Sequence, residues 1–177
     1  MKVMKIAIIS LLLILPNSVH AQNQTVGTFS FEDRNGNQIA KLAVRTRAFD
    51  PSRHTLTIAD LDTAKLITKV DGRAPLGTDG TIPRVEITSM IVSFSGKKIV
   101  VPPSLFADCF NPNFYKDAAA VKLSDSGDSL LVFMAGSDGA GSYQIMWILR
   151  KDGRHSRFIN DCSDCDFRGV LNFFNKQ

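Results

Sequence analysis

The segment AKLAVRTRAF, Ala40–Phe49, sets Ala40, Leu42, Val44, Thr46 and Ala48 on one side and Lys41, Arg45 and Arg47 on the other. A period of two is the mark of a strand buried on one face only. Ahead of it, TVGTFSF runs through EDRNGN, where Asn35-Gly36 supplies the positive backbone angles of a tight hairpin. The same grammar recurs in HTLTIADL, AKLITKV, RVEITSMIVSF, IVVP, AAAVKLS, LLVFMA, YQIMWILR and HSRFIN, with Gly, Asp or Ser at the breaks. In YQIMWIL, Tyr143, Ile145, Trp147 and Leu149 share one face and Met146 and Ile148 the other, so both faces are apolar. That pattern belongs to a strand central in a sheet covered on both sides.

Composition agrees: fifteen of the acidic residues are Asp and only Glu32 and Glu86 are Glu. Asp suits turns and caps, whereas Glu is the helix former. Two segments read as short helices. Ser104 is placed to cap LFADCF, which NPN ends, and FRGVLNFF forms a closing turn. Between Asp71 and Pro83 the three glycines Gly72, Gly77 and Gly80 indicate a surface loop. The expected fold is all-β: a single-domain β-sandwich or a strongly curved, barrel-like antiparallel sheet of about nine or ten strands, with one or two short helices.

The first 21 residues carry Lys2 and Lys5, an apolar run from Ile6 to Leu15, Pro16 and small residues ending at Ala21. This is the layout of a cleaved secretory signal peptide, and the apolar run is too short for a span of about 20 helical residues. The expected product is one β-rich domain over residues 22–177, exported to the periplasm or the medium, with no integral membrane segment. Loss of Lys2 and Lys5 lowers the formal net charge from +4 to +2. So weak a charge gives no reason to expect a nucleic-acid partner.

Chemistry-bearing residues are few. Cys162 and Cys165 lie among Asp161, Asp164 and Asp166, whose charges disfavour a reactive thiolate. A zinc site from His155, Cys109, Cys162 and Cys165 would match no compact spacing, so neither metal nor cofactor is expected. An exported chain favours a disulfide. Loop entropy alone favours a bridge to Cys109, about 4 kcal/mol against about 2 kcal/mol for closing Cys162 on Cys165. Cys109, however, sits between apolar neighbours in LFADCF, where a lone cysteine packs as a small hydrophobe. The expected pair is therefore Cys162 with Cys165. GSDGAGSY joins two strands rather than opening a helix, so it is a hairpin loop and not a phosphate cradle. Asp33, Asn35 and Asn37 mimic the start of a calcium loop, but Val44 stands where the closing glutamate is required. Arg150, Lys151, Arg154 and Arg157 cluster about the KDGR hairpin as a candidate site for an anionic ligand.

IPRVEITSMIVSFSGKKIVVPPSLFADCFNPNF followed by LLVFMAGSDGAGSYQIMWIL resembles small exported bacterial proteins of unknown function. The resemblance implies one exported domain and no activity. The expectation is a cell-envelope binding or interaction domain without catalysis, whose partner is an envelope protein or an anionic envelope component. The alternatives are a small periplasmic hydrolase using His54 or His155, or an inhibitor or immunity protein for a secreted enzyme.

Overall fold

The computed structural model describes residues 26–61, 64–114, 118–137 and 141–160. The expected leader, Cys162, Cys165 and the FRGVLNFF turn lie outside them. The fold is all-β, with antiparallel sheets and only two single-turn 3-10 segments, Pro51–Arg53 and Pro103–Leu105, among the described residues. One sheet holds β1 (Gly27–Asn35), β2 (Gln38–Ala48), β5 (Val85–Phe94) and β6 (Lys97–Val100), in the order β1-β2-β5-β6. The other runs β11 (His155–Asn160), β10 (Tyr143–Arg150), β9 (Ser129–Gly136), and β9 then pairs along its far edge with β7 (Pro112–Asn113) and β8 (Ala119–Leu123). A separate ribbon of β3 (Leu56–Leu61) and β4 (Ala64–Val70) is inserted between β2 and β5.

Register explains the core. Leu42 pairs with Val92 and Val44 with Met90, while Val132 pairs with both Val121 and Trp147. Paired residues project to the same face, so each sheet presents one continuous apolar surface. The two surfaces meet in a single cluster that includes Leu42, Met90, Val92, Val132, Ile145 and Trp147. The arrangement is a sandwich. Burial of such side chains contributes about 1.5–3 kcal/mol each.

The sandwich is closed differently on its two sides. On one, β1 is fastened to the β8–β9 turn: Asp33 accepts from the Leu123 amide at 2.8 Å and Asn35 donates to the Asp125 carbonyl at 3.0 Å. Phe114 stacks on Phe29 there, with ring centroids 4.2 Å apart. Asp33 and Asn35, two of the three residues that imitated a calcium loop, are thus fasteners between sheets. On the other side, the chain from Val101 to Phe110 crosses between β6 and β11 and buries Val101, Leu105, Phe106, Cys109 and Phe110. Trp147, fully buried, donates its indole N–H to the Leu105 carbonyl at 2.9 Å.

Two local expectations change. Asn35 remains in β1 opposite Gln38, so the hairpin turns on Gly36 and Asn37, with Gly36 alone at positive φ. Ser104 caps nothing, because the turn beginning at Pro103 has Pro102 at its N-cap and no side-chain hydrogen bond. Ser104 lies inside the turn rather than at its N-cap, where a side-chain oxygen would have to stand to accept a first-turn amide. The 71–83 segment is the surface loop expected, and it is tied down along its length. Leu76 donates to the Asp108 carbonyl and accepts from Phe110, and the Ile67 amide donates to the Gly80 carbonyl at 2.7 Å. Gly77, at φ +83°, is buried with Phe110 and Tyr143 where a Cβ would stand.

Trp147→Phe is expected to cost about 2–4 kcal/mol, because it leaves the buried Leu105 carbonyl unpaired and opens a cavity. Urea unfolding checks this, and a loss below about 1 kcal/mol would show that the crossing segment does not depend on the indole bond.

Candidate functional site

His54 is the sequence candidate that the structure surrounds with charge. It follows the Pro51–Arg53 turn, which Asp50 caps by accepting the Ser52 amide at 3.0 Å. Its ring stacks on Phe49, centroids 4.5 Å apart. Nδ1 lies 2.7 Å from Asp71 Oδ2, and Asp71 Oδ1 accepts the Thr55 amide at 2.9 Å. On its far side Nε2 faces Glu86 Oε2 at 3.3 Å, without the geometry of a hydrogen bond. Glu86 is buried, and its other oxygen accepts Arg47 Nε at 2.6 Å.

The Asp71–His54 pair has the form of the orienting half of an acid–base relay. Where the proton donor of a nucleophile would stand there is instead the carboxylate of Glu86. As built, the chain Arg47–Glu86–His54–Asp71 ties β2, β5 and the end of β4 together. Asp71 is held below the usual carboxylate range, first by its bond to His54 and then by the Thr55 amide.

The second cluster was not anticipated. Arg157 lies on β11 opposite Trp147, hence on the core-facing side, and its Nη2 meets Asp108 Oδ2 at 3.0 Å. Cys109 beside it is a free thiol, 1% exposed, with Sγ 3.8 Å from the same Nη2. Burial, and then the charge of Asp108, push the Cys109 thiol up, against the opposing effect of Arg157. Tyr143 beneath is pushed up by burial, and its hydroxyl donates to the Phe110 carbonyl at 3.2 Å.

The four basic residues proposed for an anion therefore do not converge. Arg157 turns inward to Asp108, and Arg154 is held by Asp152 at 2.6 Å. Arg150 reaches Ser156 Oγ at 3.4 Å on the outer side, while Lys151 is exposed in the turn. His155 is exposed, with Nδ1 3.4 Å from the Gly153 carbonyl and no acid beside it among the described residues. The described residues also hold no group of three or more potential metal ligands.

A cleft that sequence reasoning missed lies where three loops meet. It encloses about 310 Å³ and is lined by Gly77, Thr78, Asp79, Thr81, Ile82, Arg84, Asn111 and Ser137. Asn111 builds it. Its Oδ1 accepts the Arg84 and Val85 amides at 2.9 and 3.1 Å, and its Nδ2 donates to the Gly77 carbonyl at 2.7 Å. Its own amide donates to Val85 and its carbonyl accepts the Ser137 amide at 2.8 Å. Asn113 Nδ2 adds a bond to the Ser137 carbonyl at 3.0 Å. Asn111 and Ser137 both sit at left-handed φ, 48° and 59°. Such strain persists only where the surroundings impose it, and it gathers at functional sites. The sequence signal was NPN, which reads as a helix stop although both amides are cross-links.

Charge in the cleft comes from Arg84 and Asp79. Among the described residues the Arg84 guanidinium has no acidic partner, and Asp79 accepts the Gly141 amide through Oδ1. No protein-family model, curated protein or solved structure matches the chain.

Two outcomes follow from these environments. Because the Asp71 carboxyl titrates lower in the folded chain than its unfolded value of about 3.9, its stabilisation is complete above that pH and is lost as pH falls through the folded value. Urea midpoints measured from neutral to acid pH should fall more steeply at the acid end for the wild-type chain than for Asp71→Asn. Parallel curves would contradict this. Alkylation followed by peptide mapping should leave Cys109 unlabelled in native protein and label it in denaturant. Rapid native labelling would show that the crossing segment opens.

Proposed function

We propose that the chain is an exported, non-catalytic binding domain of the cell envelope whose ligand site is the cleft between the 77–84, 111–113 and 137 segments. The observation that carries this reading is a cleft of ligand size, about 310 Å³, whose walls are cross-linked by one residue, Asn111. Small-molecule sites are concave, largely preformed and equipped with a few placed polar groups. Arg84 supplies a cation that no described side chain neutralises, while Thr78, Thr81 and Ser137 line the same space with hydroxyls.

The leader-like first 21 residues support export, and among the described residues no helix is long and apolar enough to cross a membrane. The non-catalytic reading is supported by the site chemistry: the histidine with an acid partner faces Glu86 rather than a nucleophile, and it is not among the cleft-lining residues. An anionic component of the envelope, rather than a strongly basic protein, suits Arg84. The basic KDGR hairpin is the competing surface.

Acetate is the simplest carboxylate probe. Titrated into isotope-labelled protein and followed by amide chemical shifts, it should perturb Gly77, Arg84, Asn111 and Ser137, and the perturbation should vanish in Arg84→Gln. Shifts confined to the Arg150–Arg154 turn, or none at all, would overturn the assignment of the site.

A further inference from the structure

We infer that the cleft is matched to a small zwitterion, a free amino acid or short peptide that brings a carboxylate to Arg84 and an ammonium group to Asp79. The inference rests on the cleft being the ligand site, as proposed above, and goes on to name the chemistry that the site selects.

Arg84 and Asp79 line the same cleft, yet no ion pair joins them. Opposite charges that share a small space normally neutralise one another or are kept apart by the backbone that carries them. The Arg84 amide is pinned to Asn111 Oδ1 at 2.9 Å, and the Asp79 carboxylate is anchored through Oδ1 to the Gly141 amide. Asp79 Oδ2 and the guanidinium have no partners among the described residues, so both are left for a ligand.

A simple anion would satisfy Arg84 but meet the like charge of Asp79, and a simple cation would meet the reverse. A molecule carrying both charges satisfies both. Each half of the site therefore weakens, without abolishing, the binding of a ligand that carries one charge only. The volume is at the small end of the range for ligand sites, about 300–1,000 Å³, which suits a dipeptide rather than a polymer segment. Ile82, 54% exposed at the rim, offers an apolar contact for a short aliphatic side chain. Thr78, Thr81 and Ser137 also line the cleft and supply hydroxyls able to meet a peptide N–H or C=O.

Three probes separate the possibilities: L-alanyl-L-alanine with both charges, N-acetyl-L-alanine with the anion only, and L-alaninamide with the cation only. Calorimetric titration of the full mature chain should give a Kd for the dipeptide at least tenfold below that of N-acetyl-alanine. Arg84→Gln should weaken both, and Asp79→Asn should remove the tenfold preference while retaining the oxygen that accepts the Gly141 amide. Lys151→Gln serves as an unaffected control. The wild-type chain offers a check that needs no variant: the preference should disappear once pH exceeds the amine pKa of about 8, which leaves the dipeptide with its carboxylate alone.

Equal affinity for the dipeptide and N-acetyl-alanine, with Asp79→Asn silent, would overturn the zwitterion match and leave a plain anion site. No binding of any probe, with no amide shift in the cleft, would overturn the binding site together with its selectivity.

Discussion

Asn111 is the point on which the fold and the cleft both depend. Held at φ 48°, it spends its amide on Val85, its carbonyl on Ser137 and its side chain on Arg84, Val85 and Gly77. The 77, 84–85 and 137 segments are thereby joined at one residue, which extends the β7–β9 pairing and the isolated bridges Leu76–Cys109 and Glu86–Phe110. A side-chain amide can do this because it carries both donors and an acceptor of two bonds in one plane. A hydrophobic contact at the same place would bring the segments together without setting their direction.

The same economy governs the buried charges. Glu86 and Asp108 are acidic groups set into the protein interior or its margin, and each is answered by an arginine, Arg47 at 2.6 Å and Arg157 at 3.0 Å. A buried carboxylate without such a partner would be costly. Arg47 and Glu86 face each other across the paired strands β2 and β5, and Glu86 also reaches the His54 turn, whereas Arg157 ties the edge strand β11 to Asp108 in the crossing segment. The groups most suggestive of catalysis, His54 and Cys109, lie inside these ties. Arg84 and Asp79 remain outside them and carry no ion pair among the described residues, which is what recommends the cleft as the proposed site.

Strands were legible because a half-buried strand writes its period into the sequence. Ala40, Leu42, Val44 and Thr46 are buried as alternation requires, while Ala48 of the same expected face is exposed beyond the irregularity at Arg45–Thr46. Trp147 stands in a strand paired on both edges, as its doubly apolar pattern implied. Partners were not legible. Arg157 reads as one of four neighbouring cations, and only the pairing of β11 with β10 turns it inward to Asp108, 49 residues away. Gly77 reads as a loop residue, whereas it is glycine because Phe110 and Tyr143 occupy the place of a Cβ. Asn111 and Asn113 read as a helix stop. Alternation is local, but a left-handed hub is defined by three segments at once, and no window of the chain contains them all.

Native-state hydrogen exchange puts the role of Asn111 to the test most directly. The amides of Leu76, Phe110, Asn111 and Ser137, all bonded across segments, should exchange as slowly as those of Ile145 and Trp147 within β10, because the hub and the sandwich open only together. If those four amides exchanged orders of magnitude faster while β10 stayed protected, the loops would be opening independently of the core, and the cleft would not be preformed.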